Sequence, residues 1–482
     1  MAHTSISNKP IKFSLNPHRE NTVFQDQWIP LTPIEKMSET NYDVIIVGTG
    51  AGGGAALWRL CEQWGRNGKR IGVVEAGDLL LPTASGNIPT VNGEIWGKLW
   101  TRNIDPTGII ALGGQTLFWG LESPRFDPSA FITWPITYKD ILPYYLIAEQ
   151  VMNVTTAYTR DSALQQVLLD RSRSNGFPEA QTMPIAIDLG TTKYGQVHSN
   201  PIFSSINFIA YAINIRSIDL SVNTPVVQVL TDKGRAAGVK VMTADKKTYT
   251  LSAKTVILSA STFNTPRILL NSNIPGEAIG RYLKEHATVS ADVKTRRDEY
   301  PEVLGTSRIY VPDSAERGFQ LLALGPGISS PFAEKPLAEE INFRFQTYGP
   351  LEPRPDNRVF LDPGRLDPYG IPRLNVQYSY NSRDLERIER MFEGTRKFIS
   401  SMNFTLQEPP ELWQAGNHFS GTCRMGNDPA TSVTDAYGQV HGIAGLYVAD
   451  NSVLNLTSGS NPTLTTVALA IRTADHIIET MI

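Results

Sequence analysis

The stretch Asp43-Val44-Ile45-Ile46-Val47-Gly48-Thr49-Gly50-Ala51-Gly52-Gly53 decides how this chain folds. Its opening β-branched run is what a strand buried on both faces of a parallel sheet requires. Residues 48–53 then fit G-x-G-x-x-G, with Gly48 for the tight turn, Gly50 for backbone approach to a pyrophosphate and Gly53 for close packing. Leu57, Leu60, Cys61 and Trp64 follow at helical spacing, so a helix opening near Ala51 aims its first amides and positive dipole end at a diphosphate. A second strand, Arg70-Ile71-Gly72-Val73-Val74, ends at Glu75, where a carboxylate can accept hydrogen bonds from adenosine ribose hydroxyls and disfavours a ribose phosphate. Together these elements predict a dinucleotide site, and by themselves they do not separate FAD from NAD.

Around this unit the chain has an ordinary globular composition. It has 482 residues, 41% hydrophobic and 19% charged, enough for large cores in two or more regions. A formal net charge of -3 gives no electrostatic reason to expect nucleic acid or an anionic membrane as partner. No apolar run is long enough to span a bilayer. The first forty residues are polar and contain proline, without the basic start and apolar core of a secretory signal, and the expectation is a cytoplasmic protein. Cys61 and Cys423 are the two cysteines, too far apart for a redox dithiol and too few for a disulfide framework. No histidine cluster has metal-ligand spacing, so no metal is expected.

The C-terminal part supplies the distinguishing motifs: Asn417-His418-Phe419-Ser420-Gly421-Thr422-Cys423-Arg424-Met425-Gly426, then Gly445-Leu446-Tyr447-Val448-Ala449-Asp450, then Ser460-Asn461-Pro462-Thr463-Leu464-Thr465. Here the chain resembles the glucose-methanol-choline (GMC) oxidoreductases, whose C-terminal signature places a His before G-T-x-R-M-G and a second His or Asn before Pro. The Asn461-Pro462-Thr463 form is similar to that of the pyranose 2-oxidase branch. Leu112-Gly113-Gly114-Gln115-Thr116-Leu117-Phe118-Trp119-Gly120 resembles the family's loop over the flavin. Residues 256–270 resemble its second signature, and Gly280-Arg281-Tyr282-Leu283-Lys284-Glu285-His286 resembles the G-x-x-L-x-x-H that follows.

The resemblance implies an α/β fold: a Rossmann-like FAD-binding domain and a discontinuous α+β substrate domain built on an antiparallel sheet. The expected division is an N-terminal extension (1–40), FAD-binding segments at 41–126, 206–286 and 412–482, and substrate-domain segments at 127–205 and 287–411. Residues 127–205 and 287–411 match the family poorly, and specificity should lie in their loops.

Oxidising an alcohol to a carbonyl requires loss of the hydroxyl proton as hydride leaves carbon for flavin N5, and an imidazole suits the base. The resemblance assigns this to His418, with Asn461 hydrogen-bonding the same oxygen. A buried core role for His418 and a helix-capping role for Asn461, with Pro462 as first helical residue, are the alternatives. The implied FAD contacts are Gly48, Thr49, Gly50, Ala51, Gly53, Glu75 and Ala76; Gly113, Gly114, Thr116, Phe118 and Trp119; Val226, beside the adenine; Ala260; Asp450, near the ribityl or pyrophosphate; and Asn461, Pro462 and Thr463. A plain buried strand valine remains the alternative at Val226, and a solvated strand-end carboxylate at Asp450. His286 matches a structural position where the chain crosses between domains, His441 falls in a turn, and His3, His18, His198 and His476 match nothing. Arg424 could lower the Cys423 thiol pKa, but the family pattern tolerates cysteine there without using it.

The resemblance favours a sugar, glycoside or polyol as substrate, with aryl alcohols, choline and sterols in the same family, and O2 or another electron acceptor. A nicotinamide dehydrogenase and a flavin-binding protein without catalysis are the competing classes. One departure stands out: pyranose 2-oxidases carry, just before the loop tryptophan, a histidine that bonds covalently to the flavin, and here that position is Phe118. Acid precipitation should therefore leave the FAD in the supernatant, and yellow colour retained in a washed pellet would reveal a covalent link.

Overall fold

A computed structural model describes residues 29–79, 109–190, 202–300, 305–326, 339–413 and 418–481. Asn41–Val47 is a buried central strand, parallel to Ile71–Val74 on one side and to Thr248–Leu258 on the other. The seven-stranded mixed sheet built on it continues through Asp219–Ser221 at one edge and the antiparallel strands Arg235–Met242 and Val226–Asp232 at the other. The long strand Thr248–Leu258 divides its second edge: the early half pairs with Arg235–Met242, and residues 256–258 pair in parallel with Leu446–Val448. Strands far apart in sequence thus end together beside the glycine turn.

The turn's dimensions follow from sterics. Gly48 has φ +89, and a Cβ there would lie 2.3 Å from the Ser259 carbonyl oxygen. A Cβ at Gly52 would lie 1.7 Å from Ala449 O, and one at Gly53 2.0 Å from Gly48 O. No side chain fits at these distances, so the first, middle and last parts of the chain meet through bare backbone. The helix Ala51–Trp64 then packs against Ser205–Ile215 and Thr463–Thr480, and the helix Tyr138–Val151 joins them through Tyr145 Oη, 2.7 Å from Thr465 Oγ1.

The second region is a six-stranded antiparallel sheet in the order Glu411–Trp413, His286–Arg296, Glu340–Pro350, Gln320–Leu324, Arg308–Val311 and Gln181–Thr182. One face presents Val289, Val293, Ile309, Leu321, Phe343 and Phe345 to a core completed by Ile388, Met391, Phe398 and Ile399 of the helix Ser382–Ser401. Asn381 and Asp384 cap that helix reciprocally. The opposite face carries Tyr310, Leu322 and Tyr348 against Leu121, Met183 and Ile185. A buried ion pair ties this sheet to the loop containing Trp119: Arg308 Nη1 donates to Glu122 Oε1 at 2.6 Å and to the Gly120 carbonyl. No helix among the described residues is long and apolar enough to cross a membrane.

Gly52 and Gly50 separate fold from ligand. Gly52→Ala forces a backbone carbonyl to move and should destabilise the apoprotein by about 1–3 kcal/mol or more, read as a lowered melting temperature. Gly50→Ala meets no atom within 4 Å. It should leave apoprotein melting nearly unchanged while weakening FAD retention, and equal losses of melting temperature would refute the distinction.

Candidate active site

The glycine turn and the loop after Ala111 interlock. Thr49 donates from its amide (2.9 Å) and hydroxyl (2.6 Å) to Glu75 Oε2, and the Thr49 hydroxyl accepts from the Gly113 amide at 2.9 Å. Gly114 lies against Gly50, where a Cβ would be 3.1 Å from the Gly50 Cα. Thr116 Oγ1 donates to Gly113 O and accepts from the Ser205 amide, while Trp119 Nε1 donates to Phe203 O at 2.8 Å. Phe118 is buried with Ala111 and Leu117. The Asn223 and Thr224 amides donate to Gly77 O and Glu75 O, which brings the approach to Val226 alongside Glu75 and Ala76.

These residues fit a dinucleotide. The space at Gly50 is open, and the helix Ala51–Trp64 begins without a side-chain cap, which leaves its first turn suited to a phosphate. Glu75 is buried, and Thr49 and Gly77 already supply three hydrogen bonds to its carboxylate; what remains for a ribose is acceptor capacity on Oε1. Asp450 is more fully used. It accepts from the Ser261 amide and Thr265 hydroxyl on Oδ2, and from the Ser452 amide and hydroxyl on Oδ1. The solvated-carboxylate alternative at Asp450 does not hold. The carboxylate acts as a clamp on Ala260, Ser261 and the helix Ser261–Asn271; Ser261 needs it, because its φ of +87 is strained for a residue with a side chain.

His418 and Asn461 come together at the junction of the two regions. The Lys284 and Ser420 amides exchange hydrogen bonds with each other's carbonyls, so residues 418–420 run beside 284–286. The His418 amide then reaches the Glu285 carboxylate at 2.9 and 3.1 Å. Asn461 Nδ2 is 3.4 Å from His418 Nε2, and its Oδ1 accepts from Gln320 Nε2 at 2.9 Å. Here the structure corrects one expectation. The last helix is Thr463–Thr480, with Pro462 rather than Asn461 in the cap position and no side-chain cap bond. The Asn461 side chain turns instead into the interior, toward His418 and Gln320.

His286, whose motif predicts a structural residue, is also a direct neighbour of His418: its Nδ1 lies 2.8 Å from His418 Nδ1 and its Nε2 lies 2.8 Å from the Ser458 carbonyl oxygen. The Tyr348 ring stands 5.0 Å from that of His418. Asp313 Oδ2 accepts from Ser458 Oγ and the Gly459 amide, and Gly459 presses against the Tyr348 carbonyl, where a Cβ would lie 2.3 Å away. Gln320, Tyr348 and Asp313 carry no local sequence signal: the sheet register pairs Gln320 with Tyr348, and Asp313 follows the end of the strand Arg308–Val311. Ser460 also lines a cavity of about 320 Å3 with Arg125, Glu149, Gln181, Tyr310 and Asp313.

Burial governs the protonation states. It depresses His418 to about 4 and His286 well below its ordinary value, with the neighbouring His418 charge adding to the effect at His286, so both rings are neutral at pH 7. Lys284, buried with its ammonium donating to the Asn455 and Leu456 carbonyls, is pushed down to about 7 by desolvation. Desolvation and the Asp450 charge push the Cys423 thiol up, against a nucleophile there. His441 bonds Ser432 Oγ and His476 stacks on Tyr437, away from this cluster. His3, His18 and His198 lie outside the described residues, as does Asn417 of the His418 motif.

Comparison with known proteins gives the same family. Sequence models described as GMC oxidoreductase match residues 111–288 and 353–470. The 6'''-hydroxyparomomycin C oxidase of Streptomyces lividus is 26% identical over 519 residues, covering 90% of this chain and 91% of that protein. A pyranose 2-oxidase of Lyophyllum shimeji is 27% identical over 268 residues, 46% of this chain and 43% of that one. Among solved structures, a formate oxidase variant from Aspergillus oryzae RIB40 superposes with a TM-score of 0.69 at 15% identity, over 92% of this chain and 98% of the other, which supports the fold.

Neutral burial of His418 has a pH signature. Its folded pKa is about 4 against an ordinary value of 6.5, so between those values the unfolded chain binds more protons and stability falls as pH drops. Melting temperatures of the apoprotein across that window should fall less steeply for His418→Ala than for wild type. Parallel slopes would show that the imidazole is not buried in neutral form.

Proposed function

The chain belongs to the GMC oxidoreductase family, whose members act on CH–OH groups, and from that premise we propose that it oxidises a sugar, glycoside or polyol alcohol to the carbonyl with FAD as oxidant and His418 as base. Relatives named for a paromomycin derivative and for pyranoses support the sugar class. Bound FAD supplies the acceptor for the hydride that leaves the alcohol carbon. Gly48, Thr49, Gly50, Ala51, Gly53, Glu75 and Ala76 would hold its adenosine and diphosphate, with Val226 beside the adenine. Gly113, Gly114, Thr116, Phe118, Trp119, Ala260, Asn461, Pro462 and Thr463 would surround the rest, and with Phe118 in place of histidine we propose that the flavin is held non-covalently. O2 or another acceptor would then take the electrons from the bound cofactor.

The observation that carries the reading is the approach of Asn461 Nδ2 to His418 Nε2 at 3.4 Å, with Gln320 anchoring the amide from the neighbouring sheet. A neutral imidazole accepts the hydroxyl proton at Nε2, and the Asn461 amide can donate to the substrate oxygen and hold the carbon in place. The positive end of the helix Thr463–Thr480 also favours negative charge developing near its start. His418→Ala should keep FAD, because the glycine turn and Glu75 are untouched, while anaerobic flavin reduction by a good substrate slows by at least about 100-fold. Wild-type reduction rates in folded, FAD-loaded variant would remove His418 from the mechanism. Asn461→Asp should also slow reduction, since it places an anion beside the reacting oxygen.

A further inference from the structure

The hydrogen bonds linking Ser458, His286, His418, Asn461 and Gln320 have one available direction, set at the Ser458 end by a carbonyl oxygen that can only accept. His286 Nε2, 2.8 Å from Ser458 O, must carry a hydrogen. In a neutral ring that leaves His286 Nδ1 with a lone pair, and at 2.8 Å it accepts from His418 Nδ1. The His418 hydrogen is then on Nδ1, and the lone pair of its Nε2 faces Asn461 Nδ2 at 3.4 Å. The Asn461 amide orientation, with Oδ1 accepting from Gln320, agrees with this order.

We propose that His286 is a positioning residue: held by the Ser458 carbonyl, it fixes His418 in the Nδ1–H tautomer and keeps a proton-accepting Nε2 directed into the site. This rests on His418 being the base of the proposed reaction. Without an acceptor at Nδ1, His418 is free to carry its hydrogen on Nε2, where it would present a donor to the Asn461 amide and to the substrate hydroxyl. The clamp is itself braced. Asp313 holds Ser458 Oγ and the Gly459 amide, and Gly459 sits on the Tyr348 carbonyl, so the orienting carbonyl is fixed to the antiparallel sheet.

The arrangement also serves the protonated state. When the substrate O–H bond breaks, its electron pair stays on oxygen and the proton forms a new N–H bond at His418 Nε2. The resulting imidazolium still donates from Nδ1 to His286 Nδ1, now through a stronger charge-assisted bond. The ionisable groups around the pair are Glu285, which accepts from both histidine amides, Lys284 and Tyr348.

His286→Leu, His286→Gln and His418→Ala test this in protein labelled with 15N-histidine, which reports the tautomer with or without FAD. Leucine removes both polar contacts; the glutamine amide can donate to Ser458 O and offer its oxygen to His418 Nδ1. The wild type should hold His418 as Nδ1–H. His286→Leu should move hydrogen to Nε2, slow flavin reduction at least about tenfold with substrate affinity little changed, and shift the pH profile of the rate. His286→Gln should restore the tautomer and most of the rate. Nε2–H in the wild type overturns the proposal, as does a Leu variant with unchanged tautomer and rate, or equal losses in Leu and Gln with the tautomer intact. If leucine prevents folding, the wild-type and glutamine spectra still decide. Full activity in His418→Ala would instead overturn the base assignment, a separate failure.

Discussion

Backbone pressed directly on backbone is the constraint from which the molecule is organised. Gly48 against Ser259, Gly52 against Ala449 and Gly53 against Gly48 bring strand ends from three distant stretches of chain to one point. Everything chemically notable is placed relative to it. Thr49 bridges Glu75 to Gly113, and Ser205 Oγ donates to Gly50 O. Asp450, one residue beyond the Gly52 contact, clamps the turn that follows Ser259. The proposed dinucleotide site therefore has a shape set by repulsion, which is steep, rather than by side-chain attraction, which is adjustable.

Around this point the fold buries charge-bearing groups and offsets them mainly with hydrogen bonds. Asp450 draws on amides and hydroxyls, Glu75 on Thr49 and Gly77, and Lys284 on two carbonyls, whereas Arg308 and Glu122 pair directly. Desolvation pushes Glu75, Glu122, Asp313 and Asp450 upward and Lys284 and the two histidines downward, against the hydrogen bonds to the acids. Burial thus opposes charge on the acids and the bases alike, and a His418 ring held neutral can accept a proton without first releasing one.

What could be read from the sequence was what local sterics dictate. The glycine turn, its flanking strands and Glu75 are legible because each depends on residues close in the chain. His418 and Asn461 were legible through the order of motifs, but Asn461-Pro462 is ambiguous, since the same dipeptide writes a helix cap. A bond to Gln320, 141 residues away, decided that the side chain faces inward. His286 was visible as part of a motif, yet its partner lies 132 residues downstream and the Ser458 carbonyl has no side-chain signature at all. Asp450 was legible as an acid at a strand end, and only the geometry shows its acceptor positions filled by protein.

The antiparallel sheet divides its residues by parity. Odd-numbered positions such as Val289, Val293, Ile309, Leu321, Phe343 and Phe345 enter the core against the helix Ser382–Ser401, whereas His286, Tyr310, Gln320, Leu322 and Tyr348, all even, face the other way. An insertion or deletion of one residue within these strands would exchange the two sets, whereas point substitutions leave them independent. Both sets are buried, so a substitution at an even position loosens the packing against Leu121, Met183 and Ile185, next to the His286 end of the sheet, whereas one at an odd position loosens the core beneath the helix Ser382–Ser401 and leaves the site side to its own contacts.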